Sequence, residues 1–138
     1  ADNAPGLKYS KVPDYPKYNQ ECLKEMQRQV GVAQMDAQGI IQKGLIIRHL
    51  VLPNNLSGTD KIMSFISSQL SPETYISLMS QYFPCYKAGA FKEILRRITK
   101  EEYAASQEAM HKHGLYNGWV QDEQGQDRFA GIHIKPSL

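Results

Sequence analysis

The run Gly44-Leu-Ile-Ile-Arg-His-Leu-Val-Leu-Pro53 decides the fold class. Its apolar residues fall on both parities, the pattern of a parallel strand covered on both faces. Arg48 and His49 interrupt it. A charge buried in such a strand without a partner is costly, so Arg48 requires an anion or a water-lined cavity. Successive strand residues point to opposite faces, so His49 faces a helix layer when Arg48 faces the other way.

Outward from this strand, helices and strands alternate. Upstream, residues 1–18 carry Pro5, Pro13 and Pro16 among Tyr9, Tyr15 and Tyr18, which predicts an ordered loop. Leu23, Met26 and Val30 fall at helical spacing and predict a helix over residues 18–29, ended by Gly31. Residues 32–42 predict a hairpin turning at 36–39. Downstream, Ile62, Met63, Phe65, Ile66 and Leu70 predict a helix over 59–70, capped by Ser57 or Thr59 and stopped at Pro72. Residues 74–80 predict a second buried strand, and 81–87 an irregular stretch. A helical turn is expected within 91–97. Thr99 and Glu102 form a capping box that opens a helix running to about His113, closed by Gly114. Trp119 and Val120 make a last short strand, and residues 122–138 read as a loosely structured polar tail. Such alternation implies βαβ units on a parallel sheet. In those folds ligands sit beyond the carboxyl ends of the strands, here 53–58 and 81–87.

Composition excludes several classes. The 138 residues suit one domain. Sixteen basic against fourteen acidic residues offer no clustered basic excess for nucleic acid. No apolar run approaches the ~20 residues of a membrane span, and no charged-then-apolar segment opens the chain. Cys22 and Cys85 are too few for a disulfide scaffold or a structural zinc site, which points to a reduced, cytoplasmic setting. The chain starts at Ala1 rather than Met, which points to a segment removed upstream.

Arg48 is the foremost candidate for chemistry: it binds a carboxylate or phosphate, or it pairs with a structural Asp or Glu. His49 reads as a structural histidine before a catalytic one. Gln81, Tyr82, Cys85, Tyr86 and Lys87 follow a strand directly and suggest either a substrate or cofactor surface or an ordered rim. Cys85 is either a reactive thiol or a small buried hydrophobe; its pairing with His49 is the weaker idea. His111 and His113 are two apart on a helix and cannot share a metal ion. No phosphate-binding glycine loop, dinucleotide fingerprint, zinc-helix motif or nucleophile elbow occurs.

The block 44–58 resembles the later strands of radical S-adenosylmethionine proteins related to pyruvate formate-lyase activating enzyme. The likeness continues through Lys8-Tyr-Ser10, Pro13-Asp-Tyr15, Ser71-Pro-Glu-Thr-Tyr75, Met79-Ser-Gln-Tyr82, Tyr86-Lys-Ala88, Arg96-Arg-Ile-Thr99 and Glu102-Tyr103. It spans roughly residues 7–121. The resemblance implies a partial (β/α) barrel, a four-iron four-sulphur cluster, and reductive cleavage of S-adenosylmethionine to a 5′-deoxyadenosyl radical that abstracts hydrogen. In activating enzymes the target is a glycine of a partner protein. The family's cofactor-holding strand arginine matches Arg48, and Tyr82 stands where activating enzymes place a histidine.

The family's C-x-x-x-C-x-x-C loop is missing from this chain, and Cys22 and Cys85 cannot replace it. Six β/α units need about 190 residues. The expectation is therefore the C-terminal portion of a longer enzyme, residues 1–121, with no cluster or cofactor held by this chain alone. In the intact protein Arg48 holds S-adenosylmethionine, Gln81 and Tyr82 line its nucleoside side, and Cys85, Tyr86 and Lys87 face the substrate. The expected partners are the missing N-terminal half-barrel, a protein substrate, and a second copy meeting an exposed strand edge. The alternative is a non-catalytic module that binds or oligomerises through that edge and an apolar face.

Overall fold

The computed structural model describes residues 2–121; the expectation for 122–138 lies outside them. Three parallel strands carry the fold: β3 (Ile46–Leu50), β4 (Tyr75–Met79) and β5 (Gly118–Val120), placed side by side in chain order. Each strand therefore neighbours the next one in sequence, with a helical connection between them. The fold is α/β. Upstream lie α1 (Asn3–Pro5), a wide turn over Gly6–Ser10, α2 (Tyr15–Val30), and a small antiparallel hairpin of β1 (Gln34–Met35) and β2 (Ile41–Lys43). The crossovers contain α3 (Thr59–Phe65), which continues as a wider turn through Leu70, and α4 (Lys100–Lys112).

Strand alternation builds the core. Ile47, Ile76 and Leu78 turn to one side and meet Met63 and Ile66 of the first crossover, Tyr103 and Met110 of α4, and Leu115. Six of these eight are at least 96% removed from solvent or nearly so, and Met63, Ile66, Ile76, Leu78 and Leu115 are fully buried. Burying side chains of this size contributes about 1.5–3 kcal/mol each. Ile46, Arg48, Leu50, Tyr75, Ser77 and Met79 point the other way and stay half-buried or exposed. The strand expected to be covered on both faces is thus covered fully on one, because α3 and α4 pack together on the same side.

Local chemistry sets several boundaries. Thr99 Oγ1 accepts from Glu102 N at 3.2 Å while Thr99 N donates to the Glu102 carboxylate at 2.9 Å, so the capping box forms in full. α3 starts differently from expectation: Gly58, in the left-handed region, precedes it, and neither Ser57 nor Thr59 caps it. The N-terminal prolines do not keep residues 1–18 in a loop. Pro5 ends a short helix and Pro16 sits in the first turn of α2, positions where a missing N–H costs nothing. The hairpin turn is held by Asp36 Oδ1, which accepts from Gln38 N and Ile40 N at 3.0 and 2.9 Å. The turn expected in 91–97 forms at Lys92–Ile94, and a second, Tyr86–Ala90, precedes it. No helix among the described residues is long and apolar enough to cross a membrane.

Gly118 begins β5 at φ +128°, and a Cβ there would lie 1.9 Å from the carbonyl oxygen of Ile76. Close strand approach and backbone conformation both demand glycine. Gly114 is also left-handed (φ +73°) but faces open space. Gly118→Ala is expected to cost about 1–3 kcal/mol and to loosen β5. Gly114→Ala is expected to cost less. Urea unfolding of the two variants separates the clash from the backbone strain.

Candidate functional site

Arg48 sits at the middle of β3, in register with Ser77 of β4, which is in turn in register with Trp119 of β5. Its side chain is exposed on the face away from α3 and α4 and has no hydrogen bond or ion pair with a described residue. Neither an enclosing cavity nor a pairing with a structural Asp or Glu is formed among the described residues. The small Ser77 beside it leaves the guanidinium accessible to an external anion.

His49 takes the opposite face, as its parity requires. It is 7% exposed, and its Nε2 lies 3.0 Å from Thr59 Oγ1 at the start of α3. Thr59 Oγ1 lies 3.1 Å from Ser57 Oγ, which accepts from Leu52 N at 3.4 Å. A short polar chain thus ties mid-strand to the loop that follows. Burial pushes the imidazole down to about 4, so His49 is neutral near pH 7. Its burial and its contact with Thr59 accord with the structural reading of His49.

The carboxyl ends of the strands form a built rim. After β3, Asn54 and Asn55 both adopt left-handed backbone (φ 57° and 53°), a conformation asparagine tolerates better than most residues. Asn54 N donates to the Glu102 carboxylate and Asn54 Nδ2 to the Glu93 carbonyl oxygen, each at 2.7 Å. Arg96 grips the Glu102 carboxylate twice, at 2.7 and 2.8 Å, and donates to Asn54 Oδ1 at 2.9 Å. With Arg96 against it and two backbone N–H groups pointing at it, Glu102 is held at about 2. Glu102 was expected only to start a helix; it also anchors the loop after β3. Nothing periodic in the sequence links Asn54, Arg96 and Glu102.

The second part of the rim joins β4 to β5. Ser80 N donates to Gln121 Oε1 at 3.0 Å, and Gln121 Nε2 donates to Gln81 Oε1 at 2.7 Å. Tyr103 OH donates to the Leu78 carbonyl at 3.0 Å and accepts from Gln121 N at 2.8 Å. Gln81 is therefore engaged with its own rim. Tyr82 donates to the Ile94 carbonyl at 2.8 Å, and burial raises its hydroxyl. Cys85, Tyr86 and Lys87 are all exposed; Tyr86, at φ 53°, is 90% accessible with Lys87 Nζ 5.3 Å from its ring centre. Cys85 is not the small buried hydrophobe of one expectation, and with His49 turned into the helix layer the two form no nucleophilic pair. His111 stacks on Tyr116 while His113 meets Asp60, so the two histidines do part company.

The rim groups and Arg48 are not in mutual contact. Gln81 lies past the end of β4, whereas Arg48 is at the middle of β3. Among the described residues no group of three His, Cys, Asp or Glu side chains could hold a metal ion, and both cysteines are exposed and unpaired. The donors present do not fit an iron–sulphur cluster. Arg48 does fit a carboxylate.

The chain is 36% identical over 108 residues to Uncharacterized protein MJ0674 of Methanocaldococcus jannaschii, a match that takes in 75% of this chain. It covers only 32% of that protein's length. No protein-family model and no solved structure matches.

His49 gives a testable acid limb. Its native value lies below the unfolded value of 6.5, so the unfolded chain binds the proton more readily. The stabilisation is complete above pH 6.5 and is lost as pH falls towards about 4, by up to about 3 kcal/mol. His49→Gln is expected to flatten this limb. Urea unfolding at stepped pH measures it.

Proposed function

We propose that this chain is the C-terminal part of a radical S-adenosylmethionine enzyme similar to pyruvate formate-lyase activating enzyme. One observation carries the proposal above the rest. Arg48 stands mid-strand in a parallel sheet, without a partner among the described residues, on the face opposite the helices. In a barrel that face is the lumen. The order β3, β4, β5, with α3 and α4 packed together on one side, accords with consecutive β/α units of a barrel.

In this proposal the Arg48 guanidinium holds the carboxylate of S-adenosylmethionine as a charge-assisted pair. Gln81 and Tyr82, at the carboxyl end of β4, line the nucleoside side. Cys85, Tyr86 and Lys87 are exposed beyond them and face the substrate, a partner protein by analogy with the activating enzymes. The iron–sulphur cluster, which supplies the electron for cleaving the cofactor, belongs to residues outside this chain, in an N-terminal half-barrel. The two unpaired cysteines accord with a reducing, cytoplasmic setting. A second proposal, a non-catalytic binding module, draws on the open edge of β3.

The test is anaerobic reconstitution with iron and sulphide. The 138-residue chain is expected to retain less than one iron. The longer archaeal relative is expected to retain about four, the content of one cubane cluster, and to form 5′-deoxyadenosine from S-adenosylmethionine on reduction. Absence of both in the longer protein would falsify the proposal. In a cluster-loaded protein containing this segment, Arg48→Ala is expected to weaken S-adenosylmethionine about 10–100-fold, matching ~1.5–3 kcal/mol for a charged hydrogen bond. Equilibrium binding of the cofactor reads this directly.

A further inference from the structure

Among the described residues β3 is paired on one side only. Val51 N donates to Met79 O at 3.0 Å, so strand periodicity aims the backbone groups of Ile47, His49 and Val51 at β4. Those of Ile46, Arg48 and Leu50 are then aimed at the opposite edge. Just before that edge begins, Leu45 N donates to Gly31 O at 2.9 Å and Val32 bridges Leu45 in the parallel sense. From Ile46 onward the edge borders a groove of about 480 Å³. Tyr15, Leu23 and Met26 of α2 form one wall, and Ile62 and Phe65 of α3 the other. α2 buries no residue fully, and Tyr15 and Met26 remain 52% and 47% exposed.

An open edge of this kind invites another strand, and natural sheets guard such edges with charge. Arg48 is at the centre of the five residues of β3. Twofold pairing of two copies through this edge, centred on β3, would set Arg48 directly opposite the same guanidinium of the second copy. Like charges placed so are destabilising. An acidic side chain in the same place is favoured. We propose that the β3 edge is an acceptor for an extended, mainly apolar segment of another polypeptide. That segment runs parallel to β3 and presents a carboxylate beside Arg48. Main-chain hydrogen bonds from Ile46, Arg48 and Leu50 give affinity, the apolar walls add burial, and the guanidinium selects the sign of the incoming charge. This rests on the second reading, a binding module, and needs neither cluster nor S-adenosylmethionine; in the barrel reading a preceding strand takes the same edge.

The experiment uses the isotopically labelled 138-residue chain and two synthetic peptides of alternating valine and threonine, one with a central glutamate and one with a central lysine. Amide hydrogen exchange by NMR is the readout. The glutamate peptide is expected to slow exchange at Ile46, Arg48 and Leu50 by at least about tenfold, leaving Ile47 and His49 unchanged. The lysine peptide is expected to leave all five unchanged. Arg48→Glu, a substitution at an exposed position, is expected to reverse the preference. Equal binding of both peptides, or protection confined to other residues, overturns the proposal. So does a wild-type chain that already sediments as a dimer with these three amides protected, since the occupant would then be a second copy. Cofactor binding and iron uptake do not enter the readout, so its failure is distinguishable from failure of the enzyme proposal.

Discussion

Burial of one face of β3 and β4 against α3 and α4 is the constraint on which the rest depends. Ile47, Ile76 and Leu78 enter a core with Met63, Ile66, Tyr103 and Met110. A one-residue slip in register would turn those side chains outward and bring Arg48 into that core. An unpaired guanidinium there would cost several kcal/mol. Register, helix placement and the exposure of Arg48 are thus one physical fact. His49 belongs to the same fact, since the alternation that frees Arg48 sends the imidazole into the helix layer beside Thr59.

A second level of organisation fastens the strand ends. Backbone turns after β3 and β4 carry polar groups that water would otherwise satisfy. Here Glu102 and Arg96 take up Asn54, while Tyr103 and Gln121 take up the ends of β4 and β5. Both sets of contacts reach back to α4, through Glu102 and Tyr103. One helix, started by a full capping box, therefore holds two neighbouring loops on the side of the sheet where α/β proteins bind ligands. A rim pinned in this way loses little conformational entropy when a ligand arrives.

The parallel strands, the crossover helices and the capping box were legible because each leaves a local pattern: apolar runs, helical spacing, and Thr99 three residues ahead of Glu102. The parity of Arg48 and His49 was legible for the same reason. The N-terminal region was less so. Prolines in the first turn of a helix and prolines in a loop look alike in sequence, and only contacts tell them apart. The surroundings of Arg48 were also less legible, since a run apolar on both parities shows that two faces are sticky without showing that both are covered. The rim was the least legible part. Asn54, Arg96 and Glu102 share no period, and Gln121 meets Gln81 across 40 residues.

By itself the sequence determined the α/β alternation and the opposite orientations of Arg48 and His49, because backbone geometry imposes fixed periods on side-chain direction. Only the tertiary structure decided that α3 and α4 share one side, that Arg48 stays accessible beside Ser77, and that Glu102 anchors a loop as well as a helix. Those outcomes depend on which surfaces meet after the chain has turned back on itself. Long-range packing of that kind leaves no periodic trace along the polymer.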